Sequence, residues 1–233
     1  MEIRIDPRKV AVTLLVVAIV LICLHVGFMF SRYVLGHARL LGVIDTFNVN
    51  YENNVPTFFS AFMLVSCAAL LAVIARQPAP RARDARYWGW LSVIFLLLAL
   101  DEDASIHELW IGPLQYLLDA DGALYFAWVI PYGIGLAVVG LLYLRFVLRL
   151  PEPTRRLTIL AGSLYVAGAF GFELIGGWYV SQFDGHVDFP YSIIVAGEEF
   201  LEMCGTILFI YTLLDYLRRA LGDEPIRVRF RSG

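Results

Sequence analysis

Cysteine and the common catalytic signatures are scarce in this chain. Its three cysteines, Cys23, Cys67 and Cys204, all fall in apolar stretches, and no two of them have metal-ligand spacing. Neither an external disulfide framework nor a cysteine metal site is therefore indicated. The sequence also has no Gly-rich phosphate loop, Rossmann fingerprint, nucleophile elbow or Cys-x-x-Cys pair, which argues against the enzyme classes that depend on those motifs.

Charged residues are also few, and long apolar runs take their place. Only 17% of the residues are charged and 59% are hydrophobic, with a mean hydropathy of +0.70. A run of about 20 apolar residues is enough to cross a bilayer. The pattern predicts an all-α integral membrane protein, a six-helix transmembrane bundle with spans at 10–31, 56–75, 88–107, 123–145, 157–178 and 191–217. Because the first span lacks a small-residue cleavage site, we expect it to be retained rather than removed as a signal peptide.

Basic residues are confined almost entirely to one side of the predicted spans. All 18 except Arg32 and Arg39 fall in the N-terminal segment 1–9, in the tail 218–233, or in or beside the second and fourth connections. Cytoplasmic segments of membrane proteins carry the excess of Lys and Arg, so both termini are predicted to be cytoplasmic. This placement is what topology alone demands, and it gives no indication of nucleic-acid binding.

Acidic residues recur at one level inside three of the predicted spans. Asp101 lies about 14 residues, or about 21 Å, from the inner end of the third span. Glu173 and Glu202 lie about 17 and 15 residues from the inner ends of the fifth and sixth spans, which is a similar rise. Because an ionised carboxylate in hydrocarbon costs at least about 2.5–3.5 kcal/mol unless it is paired, metal-bound or hydrated, we expect one shared site in the outer half of the bilayer.

Helical spacing predicts which of these acids face each other. Asp101, Ser105 and Glu108 fall within about 60° of arc if the third span is helical throughout. On the sixth span, Glu198 and Glu202 are separated by four residues and share a face. One polar face of each helix can then point toward the other.

Metal binding accounts most economically for so many acids, because only two arginines lie on their side. Carboxylates with one or two imidazoles suit Fe, Mn or Zn, and oxygen-rich sets suit Ca. The predicted ligands of such a divalent or transition metal ion are Asp101, Glu102, His107, Glu108, Glu173, Glu199 and Glu202, with Glu52, Ser105, Glu198, His37 and His186 as further candidates. Two-metal sites in helical bundles often use Glu-x-x-His, and this motif is missing here. The sequence therefore leaves open whether the site holds one ion or two.

The segment before the second span has a structural explanation that covers most of its residues. Asn53 or Asn54 can cap the helix, and Pro56 suits its first turn. Capping does not explain Glu52.

Two motifs resemble those of a group of uncharacterised bacterial multi-pass inner-membrane proteins. They are E-N-N-x-P-T-x-F-S at 52–60 and D-E-x-x-S-x-H-E at 101–108, and the similarity extends over most of the membrane domain. The resemblance implies a bacterial inner membrane, and the placement of the basic residues then turns the site toward the periplasm or exterior. It favours Asp101, Glu102 and Glu108, with His107 beside them, over Asp103, and it implies no activity.

Three classes of function fit these features. The first is a metal-dependent membrane enzyme, a hydrolase or an oxidoreductase, that acts on a lipid or another hydrophobic substrate. The second is a cation or proton pathway, since carboxylates inside membranes also relay protons. The third is an accessory subunit whose acids hold a structural ion. Substrate, metal identity and oligomeric state are not specified by the sequence.

Overall fold

Helices make up nearly all of the structure, a computed structural model that describes residues 2–3, 5–37, 42–77, 82–183, 185–221 and 226–227. The helices are α1 (Pro7–Tyr33), α2 (Val43–Thr46), α3 (Val55–Ala75), α4 (Ala82–Ala104), α5 (Ile111–Leu118), α6 (Val129–Arg149), α7 (Glu152–Val166), α8 (Glu173–Gln182) and α9 (Phe189–Leu221). A π-helical segment, Ala167–Phe172, joins α7 to α8 without a break, and two 3-10 turns lie at Glu108–Trp110 and Gly122–Leu124. The strands in the described part are one antiparallel pair, Glu2–Ile3 with Ile226–Arg227.

Local capping explains where the first long helices begin. The Asp6 carboxylate accepts hydrogen bonds from the backbone N–H groups of Arg8 (2.9 Å) and Lys9 (3.4 Å), and Pro7 occupies the first turn. Asn54 caps α3 by accepting from the N–H of Thr57 at 3.1 Å. These side chains satisfy N–H groups that a helix start leaves without partners.

Four helical stretches are long and apolar enough to cross a membrane: α1, α3, α6 and the continuous helix 152–182. Large apolar side chains on them point away from the bundle, such as Val12 (60% exposed) and Leu141 (73% exposed). Such surfaces suit a lipid environment, where burial inside the protein is not needed to remove apolar groups from water. Helices α4 and α9 occupy the third and sixth predicted spans, but acidic residues interrupt their apolar sequence.

Two helix ends fall short of the predicted span edges, and the other ends lie at or beyond them. Helix α4 ends at Ala104 rather than at 107, because Ser105 adopts a left-handed conformation with φ +51°. Helix α6 begins at Val129 rather than at 123, after the turn at Gly122–Leu124. Of the predicted cytoplasmic segments, residues 1, 4, 78–81, 222–225 and 228–233 lie outside the described residues, as does the outward Arg39.

Helix α9 is the centre of the bundle. It packs against α1, α3, α7 and the π-helical segment, while α4 packs mainly along α3. Fully buried side chains such as Met203 and Leu213 of α9 meet Leu71 of α3 and Trp88 of α4 in the core. Helix α6 packs less extensively and buries only Val129 and Phe146.

Glycine permits the closest helix contact. A Cβ atom on Gly205 of α9 would lie 2.7 Å from the backbone N of Tyr165 and 2.8 Å from the backbone O of Ala161. A Cβ atom on Gly168 would similarly lie 2.7 Å from the backbone O of Glu198. Small residues let helix backbones approach in this way in membranes, and this contact sets the distance between the acids of α9 and the 152–182 helix.

We therefore predict that Gly205→Ala destabilises the folded protein strongly, because the new methyl group meets backbone atoms that cannot move aside. Gly27→Ala is the matched control, since nothing lies within 4 Å of a Cβ at that helical position, and alanine there favours the helix by about 0.8–1 kcal/mol. Thermal unfolding in detergent should show a lower midpoint for Gly205→Ala and an unchanged or higher one for Gly27→Ala. Equal midpoints for the two variants would show that the close contact is not required.

Candidate metal centre

One cavity of about 220 Å³ collects the acidic residues of four different parts of the chain. Eight carboxyl groups and one imidazole line it: Glu52, Asp101, Glu102, Glu108, Glu173, Glu198, Glu199, Glu202 and His107. We refer to it below as the acidic cavity. All seven ligands predicted from the sequence lie around it, together with Glu52 and Glu198. Ser105, His37 and His186 are not among its lining residues, and no Lys or Arg is found among the described residues that line it.

The end of α4 places Asp101 and His107 against each other. After the left-handed Ser105 the chain turns back, so that the His107 backbone N–H donates to Asp101 Oδ1 at 2.9 Å. The Tyr132 hydroxyl donates to the same oxygen at 2.9 Å, and His107 Nδ1 lies 3.4 Å from Asp101 Oδ2. Both oxygens of Asp101 therefore have partners within the protein.

This turn corrects the helical-face argument for the third span. Asp101, Ser105 and Glu108 were predicted to share an arc on one continuous helix, but α4 ends before Ser105 and Glu108 begins a separate 3-10 turn. His107 and Glu108 reach the acidic cavity through the reversal of the chain rather than through helical periodicity. Ser105 supplies the reversal through its backbone.

A capped loop holds Glu52 at the cavity. The Asn54 side chain accepts from Thr57 N–H and donates through Nδ2 to the carbonyl oxygens of Asn48 (2.6 Å) and Tyr51. Asn54 therefore provides the helix cap that the sequence left open between Asn53 and Asn54, and it also fixes the loop that carries Glu52. Glu52 Oε2 is buried and has no hydrogen-bond partner among the residues that the structure describes. Burial raises the pKa of Glu52 to about 7, with further upward contributions from Glu108 and Asp101 and a lowering contribution from His107.

His25 ties the same loop to the bundle. Its Nδ1 accepts a hydrogen bond from the Val49 N–H at 3.1 Å, and its Nε2 lies 3.1 Å from the Ser192 carbonyl oxygen. These two bonds fix the neutral tautomer with the proton on Nε2, and the ring is completely buried. The bonds link α1, the loop before Glu52 and α9.

The π-helical segment sets the position of Glu173. Glu173 follows it directly at the start of α8, and the indole Nε1–H of Trp128 donates to Glu173 Oε1 at 2.6 Å. The Glu173 and Glu198 carboxyl groups both line the acidic cavity. Short π-helical insertions are frequent at functional sites because they reorient the residues that follow.

Six aromatic residues line the cavity, and three of them that contact its acids were not predicted from the sequence. Trp128 binds Glu173, Tyr132 binds Asp101, and the Tyr165 hydroxyl is hydrogen-bonded to the Glu202 carboxyl group. The His107 ring also packs on Trp128, with centroids 4.9 Å apart. The sequence feature that could have indicated them is a tyrosine hydroxyl or a tryptophan N–H within an apolar span, because such a group needs a hydrogen-bond partner when it is buried.

The donor set fits a divalent ion best at Glu52, His107 and Glu108. One ligand atom from each of these residues lies within 4.8 Å of the others. Ligand atoms that share one ion through bonds of about 2.0–2.2 Å lie at most about 4.4 Å apart, so these three atoms are close to the separation that one ion requires. Glu102, Glu199 and Glu202 line the same cavity and add further oxygen atoms.

A family model described as a domain of unknown function, DUF8692, matches residues 10–217. This match includes every residue that lines the acidic cavity. No curated protein and no solved structure matches the chain.

The raised pKa of Glu52 predicts a pH-dependent stability in metal-free protein. A carboxyl group whose pKa rises from 4.5 in the unfolded chain to about 7 in the folded one stabilises the fold at low pH, and this contribution is lost as the pH rises through 7. Glu52→Gln removes the ionisation, so with a chelator present its thermal midpoint should exceed that of the wild type at pH 8 and approach it at pH 5.

Asp119→Asn is the control, because Asp119 is an exposed carboxylate in a left-handed position that asparagine tolerates. Its midpoint should follow that of the wild type at both pH values. A Glu52→Gln midpoint that never exceeds the wild-type value would contradict the expected cost of ionising Glu52.

Proposed function

We propose that this chain, which belongs to the DUF8692 family, is a six-span membrane enzyme that depends on a divalent metal ion bound in the acidic cavity. The observation that carries the proposal is the convergence of eight carboxyl groups and one histidine on one cavity with no Lys or Arg among its described lining residues. Mutual repulsion and desolvation disfavour such a cluster unless protons or cations compensate it. A bound cation provides that compensation and explains why the acids lie together.

Within this proposal, Glu52, His107 and Glu108 hold the ion, and Asp101 orients His107. A carboxylate that accepts the Nδ1–H of a histidine fixes its tautomer and leaves Nε2 to bind metal, which is the usual arrangement of metal-bound histidines. The 3.4 Å separation of His107 Nδ1 from Asp101 Oδ2 supports this role. Asp101 then acts as a positioning residue rather than as the direct ligand that the sequence suggested.

The remaining acids, Glu102, Glu173, Glu198, Glu199 and Glu202, are oxygen donors for a second ion or for substrate. A set rich in carboxylates with one imidazole suits Mn, Fe or Zn, and Ca if only oxygen atoms bind. The bound ion would supply Lewis-acid or redox chemistry to a substrate in the cavity. The size of the cavity, about 220 Å³, supports an enzyme over an accessory subunit with a structural ion, because structural sites are closed by their protein ligands.

A cation or proton pathway receives less support from the groups on the predicted cytoplasmic side of the cavity. The hydroxyls of Ser92 and Thr206 donate to backbone carbonyl oxygens at 2.7 and 2.9 Å. Asp215 accepts hydrogen bonds from Arg218 and Arg219, each at 2.7 Å. These groups are engaged locally instead of forming a continuous polar chain.

Topology gives a first test of the proposal. We expect the acidic cavity to face the periplasm and the connection after α3 to face the cytoplasm. In a background in which the three native cysteines are replaced by alanine, Leu117→Cys on the exposed face of α5 should react with a membrane-impermeant maleimide in intact cells. Gln77→Cys should react only after the cells are permeabilised, and the opposite pattern would contradict the orientation.

Metal content gives the second test. Protein purified in detergent without chelator should retain at least one Mn, Fe, Zn or Ca ion per chain, as measured by plasma mass spectrometry. His107→Ala should lower the affinity for the retained ion at least as much as Asp101→Asn, for which we expect a loss of about 10–100-fold.

His186→Ala is the matched control, because His186 lies outside the acidic cavity on the same predicted side of the membrane. It should leave metal content and affinity unchanged. Wild-type protein without stoichiometric metal, or equal losses in the His107 and His186 variants, would refute the proposed centre.

A further inference from the structure

A second cavity, of about 260 Å³, lies directly beside the acidic cavity and is apolar. We call it the apolar cavity. One face of α4, from Trp88 to Leu98, and one face of α6, from Leu136 to Leu150, form two of its walls. The residues that line it on α6 recur every three or four positions, which is the period of one helix face. The hydroxyls of Thr206 and Tyr143 at its walls are bonded to backbone carbonyl oxygens.

The two cavities share part of their walls. Leu98 and Tyr165 line both of them, and the Tyr165 hydroxyl is hydrogen-bonded to Glu202 in the acidic cavity. Tyr165 thus lines both the acidic and the apolar cavity, and its hydroxyl group points to the acidic one. A molecule that occupied both cavities would have a polar end among the carboxyl groups and an apolar end among leucine, phenylalanine and tryptophan side chains.

The dimensions of the apolar cavity suit one aliphatic chain. Its lining extends over ten residue steps along α4 and fourteen steps from Leu136 to Leu150, the C-cap of α6, which is about 15–21 Å along the helix axes. Half of the hydrocarbon thickness of a bilayer is about 15 Å. Protein interiors contain few voids larger than a water molecule, and an apolar void of comparable size excludes water and binds apolar molecules. Lipid chains are the apolar molecules that surround a membrane protein.

Helix α6 forms a wall of the apolar cavity and also carries exposed apolar side chains. This helix packs less extensively than its neighbours, and Leu141 and Leu142 on its outer face are 73% and 64% exposed. The glycines Gly140 and Gly162 line the apolar cavity from α6 and α7, and nothing lies within 4 Å of a Cβ built on either. Their lack of side chains leaves this volume open.

We infer that the apolar cavity holds the single aliphatic chain of an amphiphile whose small polar head lies in the acidic cavity. This inference rests on the proposed function insofar as it names the substrate class of the metal centre. A single chain is favoured over a two-chain lipid because one narrow cavity adjoins the acidic site. A small head is favoured because the acidic cavity has only about 220 Å³ of free volume.

Photo-crosslinking in lipid nanodiscs tests the inference with a defined probe, a monopalmitoylglycerol that carries a diazirine midway along its chain. Its head is neutral, so it does not need a metal ion to enter an acidic site. In wild-type protein, adducts mapped by mass spectrometry should fall on cavity residues such as Leu91, Ile94 and Phe209. Gly140→Phe and Gly162→Phe fill the cavity, and each should lower these adducts by about tenfold, the equivalent of 1.4 kcal/mol in binding.

Gly135→Phe is the matched control, because Gly135 lies on α6 with open space around it and does not line the apolar cavity. It should retain the wild-type adducts. Adducts that persist in both cavity-filling variants, or that occur only on outward residues such as Leu141, would overturn the inference. An alkane with the same diazirine that labels the cavity equally well would show that the head is not recognised, and would also overturn it.

Metal analysis of the same samples separates the two proposals. Protein that lacks metal but gives cavity adducts would refute the metal centre and retain the aliphatic-chain site. Protein that retains metal but gives no cavity adducts would refute the chain site alone. Thermal unfolding of the glycine variants confirms that a lost adduct does not reflect a lost fold.

Discussion

The constraint on which this structure depends is the cost of gathering carboxyl groups away from water without basic partners. Eight of them line the acidic cavity, and the basic side chains whose contacts are described pair elsewhere, as Arg149 does with Asp84. Each buried charge costs several kcal/mol unless it is compensated. The hydrogen bonds from Trp128, Tyr132 and Tyr165 provide part of that compensation. In our proposal a bound cation provides the rest of the compensation, so metal binding should also stabilise the fold.

The rest of the bundle is built to bring these groups together in spite of that cost. Gly205 and Gly168 allow α9 to contact the 152–182 helix at backbone distance, and the π-helical segment lies at this contact. The acids of α9 and Glu173 therefore belong to a rigid pair of helices. Glu52 and His107 belong to turns at the ends of their helices, each held by side-chain bonds to the backbone. Natural proteins often place unfavourable residues at functional sites and compensate for their cost elsewhere in the fold. Here close glycine packing and extensive hydrogen bonding compensate for the concentrated charge.

Sequence reasoning found the acids of the cavity because their depth follows from a constant rise of 1.5 Å per residue. Asp101, Glu173 and Glu202 could be placed at one level from span edges alone. The turn after Ala104 could not be predicted, because it depends on Asp101 binding the His107 backbone and on a left-handed Ser105. For the same reason Ser105 was wrongly expected on the polar face.

Trp128, Tyr132 and Tyr165 were missed because an aromatic residue in an apolar span is usually a packing residue, and only tertiary contacts reveal what its polar group binds. The apolar cavity was also beyond sequence reasoning, since it arises from how loosely α6 packs.

Two adjoining cavities of opposite polarity impose an order on binding for any amphiphile with an anionic head. Without a cation, eight carboxyl groups produce a negative potential that repels such a head, and the aliphatic chain alone would have to overcome that repulsion. A bound divalent ion reverses the local sign and becomes a ligand for the same head. Metal and anionic amphiphile should therefore raise each other's affinity, because a coupling free energy between two sites is reciprocal. An amphiphile with a neutral head does not need the metal to bind first, because its hydrogen bonds to protonated or ionised carboxyl groups do not require the ion. The charge of the head thus determines whether the metal is needed for binding or only for the subsequent chemistry.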